Sequence, residues 1–246
     1  MKKLYLFGDS FSLFDSDLKD SMSSRVEFNT HHSLANDHIL KLVKLKLLKL
    51  SKMDIKKEDN INILVQLTVC SRVCVLESMH PDTSEMMRKH YSYLDEMTKY
   101  GDSDVFQNKY YTLYPHFSAR DSGLVKMVFT PYLGFFINNN EFNILNDLLL
   151  EITLLKKLAE SIGVNLEYFF YSSDFNRILG KKITPIYGSK KITTIDSSHI
   201  QFGEFDSMHS YIASTRPDYF VSKMDIHFNN NGNRWYMNWL KERYDI

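Results

Sequence analysis

Residues Ile61 to Val69 form an apolar run rich in β-branched side chains. A strand that is apolar on both faces has to be covered on both faces, which suits a buried parallel sheet. Lys3 to Phe7 is a second compact apolar strand, and Asn165 to Tyr171 is a third. A shorter strand is expected near Arg25–Phe28. Helical periodicity fills the gaps. His38 to Lys52 is apolar at Ile39, Leu40, Val43, Leu45, Leu47, Leu48 and Leu50, with Asn36 or Ser33 able to cap it. Glu141 to Ile162 is a strong helix ended by Gly163 in the C′ position. Strands separated by helices predict an α/β fold with a parallel sheet.

The chain has 246 residues, 43% of them hydrophobic, which fits one domain with its own core and no need of a disulfide or metal staple. The stretch from about 79 to 120 is less regular and rich in Tyr, His, Asp and Met. It predicts an insertion or cap on a single domain spanning 1–246, with a helix over Thr83 to Tyr100. Asp174 to Leu179 reads as a short helix or turn, and Lys181 to Asp206 as irregular. Asn233 to Tyr244 predicts a last helix with Trp235, Trp239 and Leu240 near one face.

Lysine plus arginine and aspartate plus glutamate both total 30, so no global charge draws the chain to nucleic acid or to an acidic membrane. The lysines of the His38–Lys52 helix read as a solvated face. Cys70 and Cys74 lack the neighbouring ligands of a metal site and read as ordinary reduced thiols. The nine histidines show no His-x-x-x-His spacing, so no metal or cofactor is expected. The apolar start stops at Gly8-Asp9, too short for a signal peptide, and no run of about 18 apolar residues exists to span a membrane. The expectation is a cytosolic protein without a secretion signal.

Gly8-Asp9-Ser10 follows the first strand. A serine hydroxyl becomes a nucleophile only when a base takes its proton. A turn at the carboxyl end of a parallel strand is where open α/β sheets bind ligands. Near the other end of the chain stands Asp225-Ile226-His227. An acidic neighbour can fix the tautomer of a histidine and stabilise the imidazolium formed in acyl transfer. Taken singly, each motif also fits a polar turn.

Together, Phe7-Gly8-Asp9-Ser10-Phe11-Ser12 after the first strand and Asp225-Ile226-His227-Phe228-Asn229 before the last helix resemble the first and last blocks of the SGNH/GDSL hydrolase family. The resemblance implies a three-layer α/β/α sandwich with a central parallel sheet. It also implies ester hydrolysis, with Ser10 as nucleophile, His227 as general base and Asp225 as its orienting acid. The middle blocks depart from the family pattern. Ser33-Leu34-Ala35-Asn36 is similar to the second block, with Ser33 where a glycine is usual. The strand through Ile63 to Leu67 runs into Thr68 and on to Arg72, with no asparagine to act as third oxyanion donor. Thr68 can offer a hydroxyl instead, and Arg72 can reach the pocket. Loss of one such donor costs roughly 100- to 1000-fold in rate. The Asp-x-x-His spacing usual in the family is one residue shorter here.

The resemblance thus implies a small-molecule or carbohydrate ester substrate, an O-acetylated sugar being preferred. Tyr110-Tyr111-Thr112-Leu113-Tyr114 offers aromatic surface that can stack on a sugar or pack the insertion onto the core. The competing expectation is a structural or binding protein on the same fold, for example a bacteriophage virion component or a homo-oligomer. The weakened middle blocks and the many Asn, Lys and Tyr residues fit it.

Overall fold

The structure, a computed structural model, describes residues 2–9, 12, 14, 16–30, 36–56, 59–68, 73–76, 110–113, 141–171, 198–205, 207–222 and 225–246. Among these, four strands form one parallel sheet: β1 (Lys3–Gly8), β2 (Val26–Thr30), β3 (Ile61–Leu67) and β6 (Asn165–Phe170), in the order β2-β1-β3-β6. The helices are α1 (Ser16–Asp20), α2 (Asn36–Leu50), α3 (Glu141–Ser161), α4 (Met208–Thr215) and α5 (Asn230–Tyr244). Strand β4 (Val73–Leu76) and strand β5 (Tyr110–Leu113) pair antiparallel as a separate ribbon. The rest of the expected insertion at 79–120 lies outside the described residues, as does the expected short helix or turn at Asp174–Leu179.

Alternation along each strand builds two cores. Tyr5 and Phe7, the run Ile61, Ile63, Val65 and Leu67, and Leu166, Tyr168 and Phe170 face α2 and α3. Leu4, Leu6, Leu64, Phe169 and Tyr171 face the opposite way, toward α4 and α5. Burial on both faces is what parallel strands require. The outcome is a three-layer α/β/α sandwich with a central parallel sheet.

Helix α2 packs Ile39, Leu40, Val43, Leu47 and Leu50 inward, a stripe at helical spacing. Two of its outward lysines are paired: Lys44 with Glu151 on α3, at 2.5 Å, and Lys46 with Glu27 on β2. Helix α3 stops as its sequence predicts. Gly163 has φ +75°, its N–H donates to the Glu160 carbonyl at 3.2 Å, and Val164 N–H donates to the Ala159 carbonyl at 2.9 Å. These two bonds satisfy carbonyls that the helix end would leave bare.

Helix α5 begins three residues earlier than the sequence predicts. Asn229 is its N-cap, and its side-chain oxygen accepts from the N–H groups of Asn231 and Gly232 at 3.0 and 3.1 Å. Asn230–Asn233 are therefore the first helical turn, because one capping asparagine satisfies two of its free donors. Asn36 likewise lies inside α2, where its side chain is bound to Thr68. The short helix α1 was not expected.

The order β2-β1-β3 means that the chain leaves β1 for one side and then crosses back to the other. Such a reversal opens a crevice beyond the carboxyl ends of β1 and β3, where doubly wound sheets bind ligands.

Candidate active site

Strand β1 delivers Gly8 and Asp9 to this crevice, and β3 delivers Gln66 and Thr68 beside them. A Cβ on Gly8 would lie 2.6 Å from Gln66 Oε1, so only glycine lets the two strands' polar ends approach this closely. Gln66 Nε2 donates to Asp9 Oδ1 at 2.8 Å, and Ser12 Oγ donates to Gln66 Oε1 at 2.5 Å. The reverse amide orientation would set an oxygen against the carboxylate, so the network itself fixes the assignment. Ser12 has one proton and gives it to Gln66. The 3.1 Å contact between Ser12 Oγ and Tyr236 Oη is therefore donated by Tyr236. Burial pushes the Tyr236 hydroxyl above its ordinary range, and the Asp9 charge adds to this against the Ser12 hydrogen bond, so it remains a donor. Tyr236, Ser12, Gln66 and Asp9 are all essentially inaccessible to solvent. Ser12 N–H also donates to the Asp9 carbonyl at 3.0 Å, which turns the chain sharply after β1.

The second component comes from the segment between α4 and α5. Phe220 and Phe228 form an antiparallel bridge and stack with their rings parallel at 5.8 Å. Val221 N–H donates to the His227 carbonyl at 2.9 Å. Asp225 Oδ1 accepts from His227 N–H at 3.1 Å and lies 2.6 Å from His227 Nδ1. The side-chain hydrogen bond from His227, then its backbone N–H, hold the Asp225 carboxyl below its ordinary range. Both side chains are about half exposed. Tyr171, at the end of β6, donates from Oη to the Ile226 carbonyl at 2.6 Å. This bond fastens the loop to the sheet between Asp225 and His227.

Among the expected site residues, the structure pairs Asp225 with His227. It brings Asn36 and Thr68 together as well. Asn36 Nδ2 donates to the Thr68 carbonyl at 3.0 Å, and Thr68 N–H donates to Asn36 Oδ1 at 2.8 Å, a clasp from the start of α2 to the end of β3. Thr68 Oγ1 is buried and has no hydrogen-bond partner among the described residues, and the same holds for Thr30 Oγ1 at the end of β2. Buried hydroxyls are costly to leave unpaired, and an anionic ligand oxygen is the kind of acceptor that would satisfy them. Ser10, Ser33 and Arg72 lie outside the described residues.

Gln66, Ser12, Tyr171 and Tyr236 were not among the expected site residues. Gln66 had a legible signal, as a lone long polar side chain inside an apolar strand. No three His, Cys, Asp or Glu side chains among the described residues gather in a way that could hold a metal ion. No helix among them is long and apolar enough to cross a membrane. Compared with protein-family models, with curated proteins and with solved structures, the chain finds no match. The class defined by fold and site is thus a doubly wound α/β sandwich with an Asp–His pair tied to the carboxyl edge of its sheet.

Proposed function

We propose that the chain is a serine esterase or deacylase of the SGNH/GDSL type, acting on an ester such as an O-acetylated carbohydrate. The observation that carries this reading is the 2.6 Å Asp225–His227 pair, tied through Tyr171 to the same sheet edge at which β1 ends in Gly8-Asp9. With Nδ1–H donating to Asp225, His227 Nε2 is the ring atom that accepts a proton. It takes the proton of Ser10 Oγ as that oxygen bonds to the ester carbonyl carbon. The carbonyl electrons move onto its oxygen, which backbone N–H groups of Ser10 and Ser33 and the Thr68 hydroxyl would stabilise. Collapse expels the alcohol, which leaves with the proton held by His227. Water then attacks the acyl-Ser10 carbonyl with His227 again as base, releasing the acid and restoring Ser10.

The test is labelling with a fluorophosphonate probe, which needs an activated serine and no knowledge of the substrate. Wild-type protein should label at Ser10, and Ser10→Ala should not. Equal labelling of both, or none of wild type, sinks the reading.

A second reading, a binding or structural protein on the same fold, is favoured by one feature. Leu150 and Leu154 on α3 are about 60% exposed, with Leu158 next in the same row. An exposed leucine row is common at protein contacts and has no use in hydrolysis.

A further inference from the structure

The segment from Phe220 to Phe228 keeps its own shape. Val221 bonds His227, Ser222 N–H bonds the Asp225 carbonyl at 3.1 Å, and Asp225 N–H bonds Ser222 Oγ at 3.0 Å. Such internal bonds hold Asp225 against His227. They do not fix where the pair sits relative to the sheet. Apolar contacts help, as Phe228 lies edge-on to the Tyr171 ring at 5.8 Å, but ring contacts are weakly directional. The Tyr171 hydroxyl is different. It reaches from the last residue of the strand run to the peptide between the two acid–base residues, with a short and directional bond.

We propose that Tyr171 is the positioning residue of this site, its hydroxyl holding the Ile226 carbonyl so that the Asp225–His227 pair is set against the carboxyl edge of the sheet. The inference rests on the serine-hydrolase reading above. Burial raises the Tyr171 hydroxyl well above its ordinary range, with Asp9, Tyr236 and Asp225 adding to the effect. The group therefore stays protonated and keeps donating at every working pH. It also lies within the electrostatic reach of carboxylates from both parts of the site, Asp9 beside Ser10 and Asp225 beside His227. Tyr171 does not touch the reacting atoms in this scheme, so its effect is one of placement.

Tyr171→Phe removes the bond and keeps the ring that packs on Phe228. Tyr168→Phe is the control, a buried tyrosine of the same strand that faces the other core and stacks on His199. The experiment measures the fluorophosphonate labelling rate of the full chain across pH, and hydrogen exchange of the backbone amides at 221–229. Tyr171→Phe should label about 100-fold more slowly, as displacement by about 1 Å costs that much. Its pH profile should keep the wild-type shape, because the Asp225–His227 contact is internal to the loop. The loop amides should exchange faster, and Tyr168→Phe should match wild type in both measurements. Labelling of Tyr171→Phe within twofold of wild type, or slower labelling with unchanged loop exchange, overturns the assignment of Tyr171 alone. Failure of wild type to label at Ser10 overturns the hydrolase reading and this assignment with it.

Discussion

Replacing Gln66 by leucine keeps the size of the side chain and removes both of its hydrogen-bonding ends. In the parent, Nε2 donates to the buried Asp9 carboxylate at 2.8 Å and Oε1 accepts from buried Ser12 at 2.5 Å. A bond to a charged group contributes about 1.5–3 kcal/mol and a neutral one about 0.5–1.5 kcal/mol. Leucine recovers part of this through its own apolar burial between two cores. The expected net loss is about 2–4 kcal/mol. For a chain of this length each kcal/mol shifts Tm by about 2–4 °C, so the midpoint should fall by roughly 4–16 °C. Circular dichroism melts and urea titrations measure both. A cycle with Ser12→Ala isolates the network, because the double variant should lose about 1 kcal/mol less than the sum of the single losses. Gln66→Leu within about 0.5 kcal/mol of the parent, or strict additivity with Ser12→Ala, would refute the claim that this network holds the turn after β1.

Three further outcomes follow from other parts of the molecule. His38, buried at the start of α2, is lowered to about 4 by burial and by the Lys41 charge. The unfolded chain binds that proton at about 6.5 and the folded chain only near 4. Stability should therefore fall as pH drops through this window, by about 3 kcal/mol in all, and His38→Gln should flatten that slope in urea titrations across pH. Gly232→Ala should destabilise by about 1–3 kcal/mol in the same assay, because its Cβ would sit 2.5 Å from the Tyr219 carbonyl oxygen and 2.8 Å from the Phe228 ring. A Gly232→Ala protein with wild-type stability would contradict the close approach of α5 to the Tyr219 peptide. Asp225→Asn should slow fluorophosphonate labelling at neutral pH by up to about 10⁴-fold, since an amide no longer holds the reactive imidazole tautomer. Labelling at the parent rate would remove Asp225 from the site.

The layers were legible because each rests on periodicity. Residues 61–67 send Ile61, Ile63, Val65 and Leu67 to one core and Leu64 to the other, so apolar side chains on both faces had to mean cover on both sides. Helix α3 and its glycine stop were legible for the same local reason. The start of α5 was not, because four consecutive residues Asn230–Asn233 read as a turn until the cap at Asn229 is seen to satisfy their donors. Nor did any local pattern announce the buried network. Its members stand at positions 9, 12, 66 and 236, too far apart in the sequence for a local pattern to link them. Long-range polar contacts of this kind become visible only when the strands are brought into register.

The Asp225–His227 pair shows how a short spacing can work. Two residues on a regular strand that are separated by one other point the same way but stand roughly 6.6 Å apart, too far for direct contact. The loop closes that gap with the aspartate itself. Its Oδ1 accepts from the N–H of His227, two residues on, a turn that aspartate forms readily. That bond draws the backbone of His227 back toward the carboxylate, and the same oxygen then meets Nδ1 at 2.6 Å. One carboxylate oxygen thus shapes the turn and orients the ring together. A glutamate at 225 would place its oxygens one bond farther out and lose the turn, while an asparagine would keep the turn and lose the charge. Slower labelling in both variants, with the loop amides exchanging faster in Asp225→Glu alone, is the result this geometry requires.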